Sequence, residues 1–181
     1  MRNLNILLAV FVAVSSLSFT PVFKSGTTVY IVRHAEKDVS DLKNPDPDLS
    51  VDGEKRASHL TAKLKREKFD AVFSTRYKRT IQTVYLVAGN NNVNVEYYDP
   101  ADFKGLSEII KTKFKNRKVL IAGHSNTVLE LAEAFGVKRP VAALTDDDYD
   151  FLFKITIDDT GNSYLKTRHY GKSHHTSEIK K

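Results

Sequence analysis

The 181-residue chain contains no cysteine. This absence excludes disulfide bonds, thiolate nucleophiles, thiolate metal sites and the attachment cysteine of a lipoprotein. The sequence also has no internal repeat and no basic-aromatic run of the kind that binds nucleic acid. With 41% hydrophobic and 28% charged residues, it suits one globular domain with a sizeable core. Its net charge of +6, spread among acidic residues, favours anionic small molecules over nucleic acid as partners.

One long apolar run stands apart from the rest of the chain. Arg2 precedes LNILLAVFVAVSSLSF, which carries no charge, has no clear A-x-A cleavage site and is short for a spanning helix. We predict that residues 1–24 are an export segment, with a buried first strand or an uncleaved anchor as the alternatives. Residues 25–171 would form the domain and residues 172–181 a polar tail that frays. The expected protein is bacterial, periplasmic or secreted, with no stable membrane span after cleavage, and a monomer by default.

Strand-like and helix-like segments alternate after the apolar run. Apolar, β-branched stretches predict strands at TTVYIVR, FDAVFS, VNVEYY and KVLIAGH, and segments of helical spacing lie between them. Two final strand candidates, YDFLFKITID and NSYLKTRHYG, flank the turn at Asp159-Thr160-Gly161. The alternation predicts a three-layer α/β/α sandwich with a mostly parallel sheet. In such sheets ligands bind beyond the carboxyl ends of the strands.

Charged and imidazole side chains follow several of these strands. Arg33 and His34 end the first predicted strand, and His124 ends KVLIAGH, before a helix that Ser125 or Asn126 can cap. The carboxyl ends of parallel strands share one edge of the sheet, so we expect the two histidines to converge there.

A third contribution comes from STRYKRTIQT, which follows the strand FDAVFS. This segment puts Arg76 and Arg79 near the start of the next helix. Arginine opposes the dipole at a helix N-terminus, and an anion held by the free N–H groups there would justify it. We interpret Arg76 as a solvated residue and Arg79 as the anion ligand.

Three motifs in order, VRHAEK, STRYKRTIQT and AGHSNTV, resemble those of the histidine phosphatase superfamily. The resemblance covers residues 28–171 and is strongest to the short bacterial phosphohistidine-phosphatase type. It implies a phosphoglycerate mutase-like fold. Members usually carry Arg-His-Gly in the first motif, whereas this chain has Arg33-His34-Ala35; the extra methyl removes no chemical group.

The resemblance implies roles for four of these residues. His34 would be the nucleophile that forms a phosphohistidine, which water then hydrolyses. Arg33 and Arg79 would clamp phosphate oxygens in bidentate fashion, and His124 would stabilise the transition state. No cofactor or metal is expected.

The remaining roles are assigned by position. The expected substrate-binding residues are Glu36, Ser125 and Asn126, with Glu36 orienting the arginines. The proton donor is predicted to be Asp99, just past the strand VNVEYY, in preference to Glu96 within that strand and Asp102, which suits a helix N-cap. Asp99 before Pro100 is equally compatible with a plain turn.

Other histidines and acids are assigned to the surface. His59 lies in a lysine-rich helix, and the tail histidines His169, His174 and His175 lack nearby carboxylate spacing for a metal site. TDDDYD, residues 145–150, lacks the glycine and the closing glutamate of a calcium loop, so we interpret it as a solvated turn.

The expected function is therefore a metal-independent phosphatase acting on a phosphomonoester or phosphoramidate. One alternative is a catalytically silent protein that binds a phosphorylated ligand on the same fold. The other is a phosphoglycerate mutase-type phosphotransferase, which is disfavoured because the segment between Tyr98 and Leu106 is too short for a water-excluding lid. The substrate would carry an exposed phosphate on a small molecule, an envelope component or a protein side chain.

Overall fold

The computed structural model describes residues 26–179. The predicted export segment, residues 1–24, lies outside the described residues. Between residues 26 and 179, no helix combines the length and the apolar character needed to cross a bilayer.

The strands are β1 (Gly26–Arg33), β2 (Ala71–Ser74), β3 (Val95–Tyr97), β4 (Lys118–Gly123), β5 (Phe151–Asp158) and β6 (Ser163–His169). The helices are α1 (Val51–Leu64), α2 (Lys78–Asn91), α3 (Phe103–Lys113) and α4 (Val128–Ala134).

One six-stranded sheet has the order β3-β2-β4-β1-β5-β6. The first four strands along the chain pair in parallel, and β5 and β6 add an antiparallel edge beside β1. The prediction of a mostly parallel sheet in an α/β sandwich is therefore confirmed. The tight turn at Asp159-Thr160-Gly161 is too short for a parallel crossover, which explains why β6 pairs with β5 in antiparallel fashion.

Alternate residues of β1 enter opposite halves of the core. Val29 and Ile31 pack in the cluster that contains α3 and α4, whereas Tyr30 and Val32 pack in the cluster that contains α1 and α2. All four side chains are fully buried. A central strand covered by helices on both faces loses the usual alternation of polar and apolar residues. This burial fixes β1 and so fixes the position of the residues that follow it.

The start of α4 differs from the prediction. Neither Ser125 nor Asn126 caps this helix; Thr127 occupies the N-cap position, without a side-chain capping bond. Instead, its Oγ1 accepts a hydrogen bond from the backbone N–H of His124 at 3.1 Å. The chain thus turns back on His124 before the helix begins at Val128, which leaves the side chains of the turn outside the helix.

The C-terminal segment also departs from the prediction. We expected the tail from residue 172 onward to fray, but the backbone N–H groups of Thr176 and Ser177 donate to Oδ1 of Asp148 at 2.8 and 3.1 Å. Asp148 and Asp150 are buried, so the segment 145–150 is a solvated turn only in its first half. A buried carboxylate needs donors, and the tail supplies them.

Gly53 in α1 lies against the backbone of Glu36, which leaves no room for a side chain. A Cβ at this position would lie 2.1 Å from the carbonyl oxygen of Glu36. Gly53→Ala should therefore lower the free energy of unfolding by about 1–3 kcal/mol through overpacking. Gly89→Ala in α2 is the matched control: its Cβ would meet no atom within 4 Å, and helix propensity should raise stability by up to about 1 kcal/mol. Urea unfolding measures both, and equal effects would contradict this account.

Candidate active site

His34 leaves the sheet directly after β1. Its backbone N–H donates to the carbonyl of Gly123 at 2.8 Å, which joins the ends of β1 and β4. Its Nδ1 lies 2.8 Å from the carbonyl of Ala35. A carbonyl can only accept, so Nδ1 carries the proton and Nε2 keeps its lone pair. Burial is the main reason that the pKa of His34 is lowered to about 3; it outweighs the hydrogen bond to Ala35, and nearby positive charge, Arg33 first, adds to it. His34 is thus a neutral imidazole of defined tautomer.

The alanine after His34 is accommodated in a small apolar cluster. Ala35 is fully buried and packs with Leu49 and Ala57. Its backbone N–H donates to Oγ1 of Thr83 at 2.8 Å. The methyl group therefore adds packing under the histidine without entering the space in front of it.

Arg33 is held by the loop that precedes β5. Its Nη1 donates to the carbonyl of Thr145 at 2.6 Å, with the carbonyls of Asp146 and Asp148 at 3.4 and 3.3 Å. The ring of Tyr149 lies 3.9 Å below the guanidinium carbon, a cation–π contact. Burial lowers the pKa of Arg33 in spite of these partners. These contacts fix the guanidinium while its Nε–H stays buried without a hydrogen-bond partner.

Arg79 lies in the first turn of α2, stacked 4.3 Å from the ring of Tyr77. Its Nη1 is 3.7 Å from Oδ1 of Asp46, and its Nε–H is buried without a partner. The same Asp46 oxygen accepts from the backbone N–H of Lys78 at 3.0 Å. The predicted anion at this helix start is therefore, in part, the carboxylate of Asp46.

His124 follows β4 and faces His34, with ring centroids 5.4 Å apart. Its Nε2 lies 3.0 Å from Oγ1 of Thr75, which lies 2.7 Å from Oγ1 of Thr80. The single hydroxyl proton of Thr80 goes to the carbonyl of Tyr77 at 2.7 Å, so Thr75 donates to Thr80 and accepts from Nε2–H of His124. Burial and then the charges of the two arginines lower the pKa of His124 to about 4.

These residues surround one open cavity of about 500 Å³. Six predicted site residues line it: Arg33, His34, Arg79, His124, Ser125 and Asn126. Two cationic side chains at this depth each leave a donor unsatisfied, which costs about 1–3 kcal/mol per group. The positive charges of the two guanidinium groups would attract an anion in the cavity. The cavity is therefore built for an oxyanion.

Two predicted residues are not brought to the cavity. The carboxylate of Glu36 receives the Nε–H of Arg56 at 2.8 and 2.9 Å, so the arginine it orients is neither Arg33 nor Arg79. Asp99 is exposed, and its Oδ1 accepts from the backbone N–H of Ala101 at 2.9 Å, which is the turn use of an aspartate.

Neither of the alternative proton donors, Glu96 or Asp102, lies at the cavity. Glu96 is exposed on the edge strand β3, and Asp102 caps α3 by accepting from the N–H of Gly105 at 2.9 Å. The cavity lining includes neither residue.

The lining contains six further residues that were not predicted as site residues, and three of them, Lys37, Tyr77 and Asp146, carry ionisable side chains. Lys37 closes the first motif, Tyr77 stands in the second, and Asp146 belongs to the acidic segment that we interpreted as a plain turn. Lys37 and Tyr77 could have been predicted, because they lie within the motifs VRHAEK and STRYKRTIQT. Asp146 could not, since its approach depends on how the loop after α4 folds back over Arg33.

Comparison with known sequences agrees with this arrangement. Residues 29–118 match the histidine phosphatase superfamily, branch 1. The chain belongs to the histidine phosphatase superfamily. It is also 38% identical over 69 residues to phosphoserine phosphatase 1 of Hydrogenobacter thermophilus. That match covers 36% of this chain, which spans about a third (33%) of the relative's length.

Solved structures resemble this member of the superfamily along most of their length. A protein histidine phosphatase, SixA, complexed with tungstate, has a TM-score of 0.60 at 16% identity, covering 78% of this chain and 96% of its own. A putative phosphohistidine phosphatase SixA from Agrobacterium tumefaciens has a TM-score of 0.56 at 19% identity, covering 81% and 98%. At these identities the likeness establishes the fold.

The low pKa of His34 predicts an acid-dependent stability. Between about pH 6.5, its ordinary pKa, and about pH 3, the unfolded chain holds a proton that folded His34 does not. Stability should therefore fall as pH falls through this window, by up to about 1.4 kcal/mol per pH unit. Urea unfolding of His34→Gln at several pH values should show a shallower slope. His59→Gln, at an exposed helix position, should keep the wild-type slope; identical slopes for all three proteins would contradict the shift.

Proposed function

We propose that this protein is a metal-independent phosphatase that hydrolyses a phosphomonoester or phosphoramidate through a covalent phosphohistidine on His34. The observation that carries the proposal is the state of His34: neutral, with Nδ1–H held by a carbonyl and Nε2 free. This nitrogen belongs to a cavity lined by two arginines whose Nε–H groups have no partner. A fixed nucleophile beside unpaired cationic donors is suited to phosphoryl transfer.

The chemistry would proceed in two displacements. Nε2 of His34 attacks phosphorus, a P–N bond forms, and the bond from phosphorus to the leaving oxygen or nitrogen breaks with transfer of a proton to the leaving atom. Water then attacks phosphorus and the P–N bond breaks. Inorganic phosphate leaves, and Nε2 regains its lone pair. The net reaction consumes one water and needs no other reactant.

Charge stabilisation would come from the cavity walls. Other contacts already hold the side chains of Arg33 and Arg79 in place. These side chains would therefore lose little conformational entropy when their guanidinium groups bind the equatorial oxygens. A bound dianion would raise the pKa of His124 from about 4 in the free protein. His124 could then donate to the phosphate as a cation. Ser125 and Asn126 add hydrogen-bonding capacity on the same wall.

The leaving group would be protonated from the mouth of the cavity. In-line displacement places the leaving oxygen opposite Nε2. The cavity that His34 lines is open, so we place the leaving oxygen towards its mouth. Asp146 is exposed and lines the cavity there, with Oδ1 3.7 Å from Nη2 of Arg33. The ring of His124, whose centroid is 5.4 Å from that of His34, would face the equatorial oxygens instead. Asp146 thus takes the role that the sequence assigned to Asp99.

The lining also bears on metal use and on substrate. Arginines and a lysine outnumber the carboxylates around the cavity, which disfavours a catalytic cation there. The cavity is open, so a phosphate carried on a small molecule, an envelope component or a protein side chain can enter. An export segment at residues 1–24, as the sequence predicts, would favour envelope or small-molecule phosphates.

The first test is hydrolysis of an aryl phosphate with a chelator present. We expect turnover by the wild type, and a loss of at least about 1000-fold in kcat/KM for His34→Ala. Acid-labile phosphate should be trapped on the wild type and not on the variant. His59→Ala is the control and should match the wild type. No turnover together with a phosphate-dependent rise in Tm would instead indicate the silent binding protein. Transfer of phosphate to a second hydroxyl would indicate the phosphotransferase.

The role of Asp146 is tested by varying the leaving group. An alkoxide needs a proton as it leaves, whereas a nitrophenolate does not. Asp146→Asn should therefore slow hydrolysis of an alkyl phosphate by about 100-fold or more and of an aryl phosphate far less. Asp99→Asn, which alters only the turn, should change neither. Equal slowing of both substrates by Asp146→Asn, or selective slowing by Asp99→Asn, would contradict the assignment.

A further inference from the structure

A second cluster of ligating side chains lies on the sheet edge formed by β5 and β6. Asp150 precedes β5 and is 1% exposed, His169 ends β6, and His175 comes from the tail. One ligand atom from each lies within 4.8 Å of the other two. From the sequence we judged that the tail histidines lack a nearby carboxylate for a metal site. The fold supplies one from the acidic segment.

The two imidazoles converge on the two oxygens of one carboxylate. Nδ1 of His169 is 3.1 Å from Oδ1 of Asp150, and Nδ1 of His175 is 2.7 Å from Oδ2. The rings are stacked with centroids 4.4 Å apart. Ligand atoms around tetrahedral zinc are about 3.3 Å apart for metal–ligand distances near 2.0 Å. These N–O separations are close to that value, and the three ligand atoms all lie within 4.8 Å of one another, so the side chains are already grouped around one point.

We infer that Asp150, His169 and His175 form a binding site for a divalent transition-metal ion of the zinc type. Two imidazole nitrogens and one carboxylate are the donor set that zinc and its neighbours prefer, whereas magnesium and calcium prefer oxygen alone. The histidines are about one-third exposed and border an open cavity. Water can therefore complete the coordination as a fourth ligand.

The ion would fasten the tail to the loop that positions Arg33. His175 directly precedes Thr176 and Ser177, whose N–H groups bind the carboxylate of Asp148. The carbonyl of Asp148 in turn lies 3.3 Å from Nη1 of Arg33. The site is thus structural, since it joins β6, the tail and the loop without supplying a ligand to the catalytic cavity. It is compatible with metal-independent chemistry and does not depend on the proposed function.

The test is titration of the untagged, chelator-treated protein with zinc alone, followed by calorimetry. We expect one zinc per chain and a rise in Tm that magnesium does not reproduce. His169→Ala and His175→Ala should each weaken zinc binding at least tenfold. His174→Ala is the matched control, because its side chain stacks on Tyr149 and only its backbone N–H, which the substitution keeps, donates to Asp150. This variant should bind zinc as the wild type does.

A second measurement uses limited proteolysis to test whether zinc holds the C-terminal tail in place. Zinc should slow tryptic cleavage after Lys172 in the wild type and in His174→Ala, and it should have no effect in His175→Ala. The inference is overturned if the wild type binds no stoichiometric zinc. It is also overturned if His169→Ala/His175→Ala, with unchanged circular dichroism, binds zinc as tightly as the wild type, or if magnesium raises Tm equally.

Discussion

The parallel pairing of β1 with β4 is the constraint on which the candidate active site depends. In this register Arg33 lies opposite Gly123, so the next residues, His34 and His124, leave the sheet as neighbours. The hydrogen bond from His34 N–H to Gly123 extends the pairing one residue past β1. A slip of one residue would turn the buried side chains of β1 to the wrong face. The hydrophobic core on both sides of β1 therefore specifies the active-site geometry.

This geometry brings positively charged side chains together at a buried position. Two arginines and two imidazoles meet at one sheet edge, and burial keeps the imidazoles neutral. α2 also begins with Lys78 and Arg79, against the helix dipole. Local preferences are expected to fail where function overrides them. Here the positive charge at the start of α2 is balanced in part by Asp46, and the charge around the cavity favours binding of an oxyanion.

The order of strands and helices was predictable because each segment has a clear period and clear breaks. The convergence of His34, Arg79 and His124 followed from the rule that parallel strands end at one edge. The predictions that were wrong concern residues in loops. The acidic segment 145–150 was interpreted by composition alone, yet its backbone carbonyls hold Arg33 and its buried carboxylates hold the tail. Such contacts join residues far apart in sequence, and no local pattern encodes them.

The wide sequence separation within the site has a consequence for synthesis of the protein. β1 emerges early, but β5, which pairs with it, is more than a hundred residues later, and Thr145, which binds Arg33, is 112 positions away. Ser177, near the end of the described chain, completes the shell around Asp148. A nascent chain on the ribosome therefore carries the histidine without its fixed arginine. The contacts that fix Arg33 are therefore complete only after Ser177 has left the ribosome and the domain has folded.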